Sequence, residues 1–476
     1  MANKTFIKDF SWYFLASFLP LFIGFIKTPV FTRHFGKEEY GYLGLVSVTF
    51  TFLGMLLFSW IGSCIWRYYT QYETNNKLTA LYSNLTVVYL TAFFVLSVLS
   101  LIWYVNAEYF LVKQLIFYSF LQIFLNQLFL FYMVIIRLKG KVQFYTLFQS
   151  IRALFGVLLA LILVYKFNVN ISALVSSLVI IDLIAVLFLL TFNPAKVKFN
   201  YKLIKRKYLR ELITYGSAGL IINIGFLTIA SSDRYIIAWL TDLEAVGIYD
   251  QVYKISQLSI VALSTIFLNT INPSLLKELE TNYENSVYSI QKYIRAFIIF
   301  GLPAVIYLSL FSKDISYILL GKEFRVGYSI MPFIFFAAYF HGISNFFELR
   351  LKFSNQLKRL TIIILFAAIM NITLNYIFVG NFGYKWAAVT TTFTYCIILF
   401  LLHYYDKKVL LVSTEMYKGL FKMLIVLVVQ IAIYFIIYSL FELNIFLKIG
   451  LGLLFIISYA RILKKELLET KIPINF

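Results

Sequence analysis

With 476 residues, 61% of them hydrophobic and only 13% charged, this chain cannot fold around a single aqueous core, because soluble domains carry about 25% charged residues. Its formal net charge of +20 would suggest nucleic acid in a soluble protein, but in a membrane protein it reflects the Lys and Arg that collect in cytoplasmic loops, so no nucleic-acid partner is expected. The cysteines (Cys64, Cys396) and histidines (His34, His341, His403) are scattered along the sequence, without the spacing of a disulfide framework, a metal site or a cofactor site.

The apolar stretches have the length of membrane helices rather than of barrel strands. The class is therefore all-α and polytopic, with about fourteen spans by a hydropathy window. The N-terminus is basic at Lys4 and Lys8, and the apolar run after it is too long for a cleaved signal core, so it reads as a retained first helix. The first six spans fall near 10–32, 42–64, 82–104, 115–136, 144–165 and 170–192. Next comes the longest basic run of the chain, with Lys196, Lys198, Lys202, Lys205, Arg206, Lys207 and Arg210. It reads as a cytoplasmic linker with an interfacial helix. Six more spans follow near 213–240, 249–276, 293–311, 328–349, 359–379 and 386–403, and two more near 419–441 and 444–462. The expected organisation is an N-terminal lobe (1–195), the linker (196–211), a C-terminal lobe (212–405), and a last helix pair with a cytoplasmic tail (406–476). Lys and Arg crowd one set of loops, which puts both termini in the cytoplasm. Reporters fused after Lys202 and after Thr470 should therefore read cytoplasmic, and one after Asp242 external; an external reading at Lys202 would overturn the two-lobe scheme.

A faint internal repeat relates the end of the first span, Arg33 to Gly41, to the end of the seventh, Trp239 to Gly247, at an offset of about 205 residues with a one-residue slip. Both run from an apolar residue through an acidic turn to glycine. Charges inside the spans are costly unless they pair or serve transport. The basic ones are Lys27, Arg152, Arg234 and Lys254, and the acidic ones are Asp182, Asp233 and, near the outer end of the eighth span, Asp250. Counting helix rise puts Lys27, Arg234 and Lys254 in the outer half, with Lys27 and Arg234 near repeat-related positions. These three are the candidate anion ligands, since Arg and Lys clamps hold phosphate and diphosphate. Arg152 and Asp182 lie at matched depths, about 12 and 15 Å from the cytoplasmic ends of spans five and six, and read as a structural ion pair. Asp250 and Lys254, four apart, can pair on one helical face. Asp233 and Arg234 are adjacent and are not expected to face each other, which leaves Lys27–Asp233 as a candidate pair. Pro20 and Pro29 bracket the outer half of the first span, and Pro273, Pro303 and Pro332 are expected to interrupt later ones. Pro29, Arg33 and Asp233 mark a candidate gate or cavity rim.

Pro29-x-x-Thr32-Arg33-x-Phe35-Gly36-x-Glu38-Glu39-Tyr40-Gly41 resembles the N-terminal signature of polysaccharide-biosynthesis flippases, the transporters of O-antigen and related lipid-linked oligosaccharides. Asp233-Arg234, Gly247-Ile248-Tyr249 and Tyr253-Lys254 resemble the start of their second half. That family is related to multidrug and toxin extrusion proteins and to the lipid II flippase. The resemblance implies two six-helix lobes around a central cavity, two extra C-terminal helices, and alternating access without bond chemistry or cofactor. It also implies an undecaprenyl-diphosphate-linked glycan as cargo, with the diphosphate meeting Lys27, Arg234 and Lys254. A bacterial inner membrane, lipopolysaccharide or capsule assembly, and a polymerase with chain-length machinery as partners belong to the same implication. Two alternatives stay open: an ion-coupled multidrug exporter of the same fold, and a membrane polymerase or glycosyltransferase. Few acids in the first lobe argue against the former; short loops without an Asp-x-Asp motif argue against the latter.

Overall fold

A computed structural model describes residues 22–281, 286–354, 356–406, 414–441 and 445–463. The described residues are helical and contain no strand. In chain order the α-helices are α1 (Phe22–Phe31), α2 (Lys37–Thr74), α3 (Leu78–Asn106), α4 (Phe110–Leu138), α5 (Val142–Tyr165), α6 (Ala173–Phe192), α7 (Arg206–Ala218) and α8 (Leu220–Leu240). They continue with α9 (Leu243–Thr281), α10 (Ser286–Leu310), α11 (Ser312–Leu319), α12 (Met331–Phe353), α13 (Leu357–Phe382), α14 (Trp386–Tyr405), α15 (Thr414–Leu440) and α16 (Ile445–Ile462). Among the described residues, eleven helical stretches are long and apolar enough to cross a membrane. The first, eighth and fourteenth expected spans correspond to α1, α9 and α16, which are helical but not among those eleven. Residues 10–21 of the first span, including Pro20, lie outside the described residues.

The chain packs as two compact units. The first holds the described residues through Gln251 together with Val379–Tyr384; the second holds Val252–Phe378 and the described residues from Lys385 onward. In the first unit α2 lies against α3, α4 and α8, and α6 against α4 and α5. Outward-pointing Leu154, Phe155, Leu158 and Ile162 of α5 are exposed, as expected of a helix whose far side is solvated by lipid. In the second unit α12 packs against α10 and α14. There Asn371 Nδ2 donates to Thr394 Oγ1 over 3.1 Å, tying α13 to α14 with fully buried polar groups. The final helices are fixed to α10 and α11: Tyr307 Oη donates to Gln430 Oε1 (2.6 Å), Tyr459 Oη to the Ile299 carbonyl (2.7 Å), and Lys448 Nζ to Asp314 Oδ1 (2.7 Å).

Several expectations need correcting. The linker is not confined to 196–211: its helix, α7, runs on to Ala218, and the following span starts at Leu220. Its first residues are anchored, because Lys139 Nζ donates to the Ala195 carbonyl and Lys141 Nζ to that of Pro194 over 3.2 Å. Burial, and then the charges of Lys141 and Lys196, hold the Lys139 ammonium below the ordinary lysine range. Pro332 sits in the first turn of α12, where the 3₁₀ helix Lys322–Ile330 gives way to α-helix within one apolar stretch. Pro303 does lie inside α10. α2 and α9, of 38 and 39 residues, are about 57 and 58 Å long at 1.5 Å per residue. Each therefore outreaches a hydrocarbon core of about 30 Å.

Candidate functional site

The buried charges of the first unit form two clusters. In the first, Arg152 on α5 and Asp182 on α6 meet. The Arg152 Nη2 donates to Asp182 Oδ2 over 2.8 Å and its Nε to Asp182 Oδ1, so both carboxylate oxygens are engaged. Nη2 also donates to Asn126 Oδ1 of α4 over 2.7 Å, and the guanidinium lies 4.5 Å from the centre of the Phe129 ring. Asn126 and Phe129 were not singled out in the sequence; they lie three apart on one face of α4, and nothing in their own spacing marks them as partners of α5.

The second cluster joins α8 to the start of α9. Asp233 and Arg234 do meet, contrary to the expectation from adjacency. Asp233 Oδ1 accepts from Arg234 Nη1 over 2.7 Å and from the Arg234 backbone N–H over 2.9 Å. Neighbouring helical side chains diverge at their Cβ atoms, but the short carboxylate stays at the backbone while the long arginine folds back over it. Arg234 Nη1 also donates to the Ala230 carbonyl (2.6 Å), and its Nε approaches Asp250 Oδ1 at 3.5 Å. Tyr249 Oη donates to Asp233 Oδ2 over 2.6 Å, and its ring lies 5.2 Å from the guanidinium. Asp233, Arg234, Tyr249 and Asp250 are all buried. Burying such charges is tolerable only when each is paired and hydrogen-bonded, and this cluster satisfies that demand through residues of two helices. Of the other candidates, Lys27 and Pro29 in α1 are half-buried and Arg33 is exposed; Lys254, in the second unit, is half-buried one turn beyond Asp250 along α9.

A close backbone contact holds the N-terminal ends of α2 and α9 together. A Cβ on Gly247 would lie 1.8 Å from the Lys37 carbonyl oxygen, and one on Gly41 would lie 2.1 Å from that of Leu243. Gly44 rests against the Asp250 side chain, with 3.4 Å to the nearest atom from a Cβ built there. Gly41 and Gly247 are 206 positions apart, as are Lys37 and Leu243, and Gly44 and Asp250. The contact is thus reciprocal: each element of the repeat receives the other at the corresponding place, as in a two-fold interface. The same offset carries Lys27 onto Asp233, so the repeat relates a cation to an acid there and not two cations. Lys37 Nζ pairs with Glu244 at the rim of this contact.

The described residues form a polytopic all-helical chain with ion pairs inside its spans and without a sizeable domain outside them. Two solved structures share that fold. The lipid II flippase MurJ, in an inward closed conformation, aligns over 96% of this chain and 99% of its own at a TM-score of 0.75 and 16% identity. A MATE transporter of Vibrio cholerae aligns over 87% of this chain and 98% of its own at a TM-score of 0.60 and 9% identity. An uncharacterized membrane protein of Methanocaldococcus jannaschii is 24% identical over 421 residues, 82% of either chain. Residues 6–277 match the family described as polysaccharide biosynthesis protein; the chain belongs to that family.

Proposed function

We propose that this protein is a flippase that carries an undecaprenyl-diphosphate-linked oligosaccharide, such as an O-antigen or capsule repeat unit, from the cytoplasmic to the external leaflet by alternating access, without making or breaking bonds. The family match over residues 6–277 carries this reading, and the similarity to a lipid II flippase along almost the whole chain supports it. On this reading the N-terminal lobe (1–195) and a C-terminal lobe that begins at Leu220 move against each other, joined by a linker that runs through α7 to Ala218. The protein resides in a bacterial inner membrane with both termini cytoplasmic and hands its cargo to a polymerase and chain-length machinery. A leaflet assay for the lipid-linked oligosaccharide in cells depleted of the protein tests it: the cargo should accumulate on the cytoplasmic side. An unchanged distribution would favour the second reading, a multidrug exporter, which the shared fold with MATE transporters brings into play. Against that reading, Asp182 in the first unit is already bonded through both oxygens to Arg152.

Lys27, Arg234 and Lys254 are the cations assigned to the diphosphate. Arg234 would reach it by exchanging its carboxylate partners for phosphate oxygens, so that cargo binding loosens the α8–α9 cluster and biases the access equilibrium. Asp233, Pro29 and Arg33 would then line the gate. Each lost phosphate contact should cost about 1.5–3 kcal/mol, roughly ten- to hundredfold in apparent affinity. Lys27→Ala should therefore impair complementation of surface-polysaccharide synthesis at normal membrane abundance, with Lys254→Ala milder; Arg234→Ala also leaves the buried Asp233 without its arginine and should lower abundance as well, so its complementation is compared per molecule in the membrane. Arg234→Lys, which keeps the charge but loses the fork, should fall between wild type and Arg234→Ala. Full complementation by Lys27→Ala and Arg234→Ala would leave these cations as structural partners of the buried acids.

A further inference from the structure

α2 outlasts its membrane span. The hydropathy window ends near Cys64, but the helix continues to Thr74, which places its last turns about 15 Å beyond the hydrocarbon. α7 lies along this projection. Cys64 Sγ donates to the Leu212 carbonyl over 3.3 Å, and the ring pairs Tyr68–Tyr215 and Tyr72–Tyr208 have centroids 5.5 and 5.9 Å apart. Gly216 meets Trp60 so closely that a Cβ would sit 2.3 Å from the indole. The covered seam of α7 is therefore narrow, running through Tyr208, Leu212 and Gly216, while Arg206, Lys207 and Arg210 stand exposed.

The chain leading into α7 is held in place. Asn84 of α3, fully buried, donates to the Leu203 carbonyl and accepts from the Lys205 N–H, both over 3.1 Å. Ser83 Oγ, also buried, accepts from the Asn200 N–H over 2.8 Å. A basic run that served only to orient the protein in the membrane would not require buried anchors on another helix. Between α2 and α7 lies an open cavity of about 1320 Å³, lined among others by Tyr68, Arg206, Lys207, Arg210, Glu211 and Tyr215. Three cations outnumber one carboxylate there, and the N-terminal end of α7, where Arg206 begins the helix, adds its positive dipole end. The tyrosine rings supply apolar walls beside the cations, and Phe199 and Tyr201 in the preceding segment are exposed, as aromatic residues are at a membrane surface.

The geometry points to a binding site for the phosphate headgroup of a lipid on the α2–α7 ledge, held by Arg206, Lys207 and Arg210. The phosphate can come from an anionic phospholipid of the surrounding leaflet or from the diphosphate of a polyprenyl-linked molecule. The site does not depend on the flippase reading, because binding is measured directly. The full-length protein, purified in detergent, is titrated separately with phosphatidylglycerol, phosphatidylcholine and undecaprenyl diphosphate, and bound lipid is counted by native mass spectrometry. The triple variant Arg206→Gln, Lys207→Gln, Arg210→Gln is compared with a control losing the same charge elsewhere, Lys313→Gln, Lys358→Gln, Arg359→Gln. All six side chains are exposed, and matched melting temperatures verify folding. With each basic residue worth roughly fivefold, the ledge variant should lose at least about tenfold in affinity for phosphatidylglycerol, for undecaprenyl diphosphate, or for both, while the control keeps it and phosphatidylcholine is unaffected. Loss for phosphatidylglycerol alone identifies the bulk lipid; loss for undecaprenyl diphosphate alone identifies the polyprenyl source. Wild-type binding of both by the ledge variant, or equal loss in the control, overturns the site.

Discussion

Gly247→Ala should force α9 away from α2 and lower the stability of the first unit by an amount near the top of the range for overpacking, about 1–3 kcal/mol. The added methyl would sit 1.8 Å from the Lys37 carbonyl oxygen. The obstacle is backbone, so no side-chain rotation can relieve it and one helix must move. Gly41→Ala meets the Leu243 carbonyl oxygen at 2.1 Å and should behave alike, since the contact is reciprocal. Gly44→Ala is the internal control: its methyl would lie 3.4 Å from the Asp250 side chain, an ordinary van der Waals distance, and it should be nearly silent. Two measurements check this. The first is the melting temperature of each purified variant. The second is cross-linking of Lys37→Cys with Glu244→Cys, placed at the ion-paired positions that bridge α2 and α9, which should be efficient in the parent and poor with Gly247→Ala. Equal melting and equal cross-linking in all three variants would mean the helix ends are not held by this contact.

The helices were legible because twenty apolar residues in a row have few alternatives to spanning a bilayer. The same reasoning went astray where a helix leaves the membrane. The polar final turns of α2, through Tyr72 and Glu73, carry no hydropathy signal, so its extension and the seat it offers α7 were invisible. Depth counting along α5 and α6 brought Arg152 and Asp182 to one level, and there they meet. It could not resolve Asp233 and Arg234, because their pairing depends on side-chain flexibility and on Tyr249, sixteen residues onward on another helix. The glycine contact was half legible. The repeat was visible near Gly41 and Gly247, but at a one-residue slip, and a glycine in an acidic turn reads first as a helix start. Only the 206-residue register shared by three pairs of positions marks it as a contact between repeats. That register also shows why equal depth did not make Lys27 and Arg234 equivalent.

Removing either partner of the Arg152–Asp182 pair should reduce stability by about 3–5 kcal/mol, the usual effect of leaving one member of a buried ion pair alone. The pair is bidentate, Asp182 is fully buried, and the arginine is further braced by Asn126 and Phe129. The two single changes should differ. Arg152 keeps 17% of its side chain exposed, so after Asp182→Ala the guanidinium can turn its charge toward that opening. After Arg152→Ala the carboxylate, at 0% exposure, has no such escape, and this variant should be the less abundant. The double change Arg152→Leu, Asp182→Leu removes both charges, and replacing a buried pair by apolar groups of similar volume is often neutral. It should recover most of the lost abundance and melting temperature if the pair is there to hold α5 to α6. Membrane abundance and detergent melting curves for these proteins separate the terms, and Arg152→Leu and Asp182→Leu measured singly beside the double change close the double-mutant cycle that gives the coupling directly. An Arg152→Ala protein present at wild-type level that fails to complement would instead place the pair in the transport mechanism.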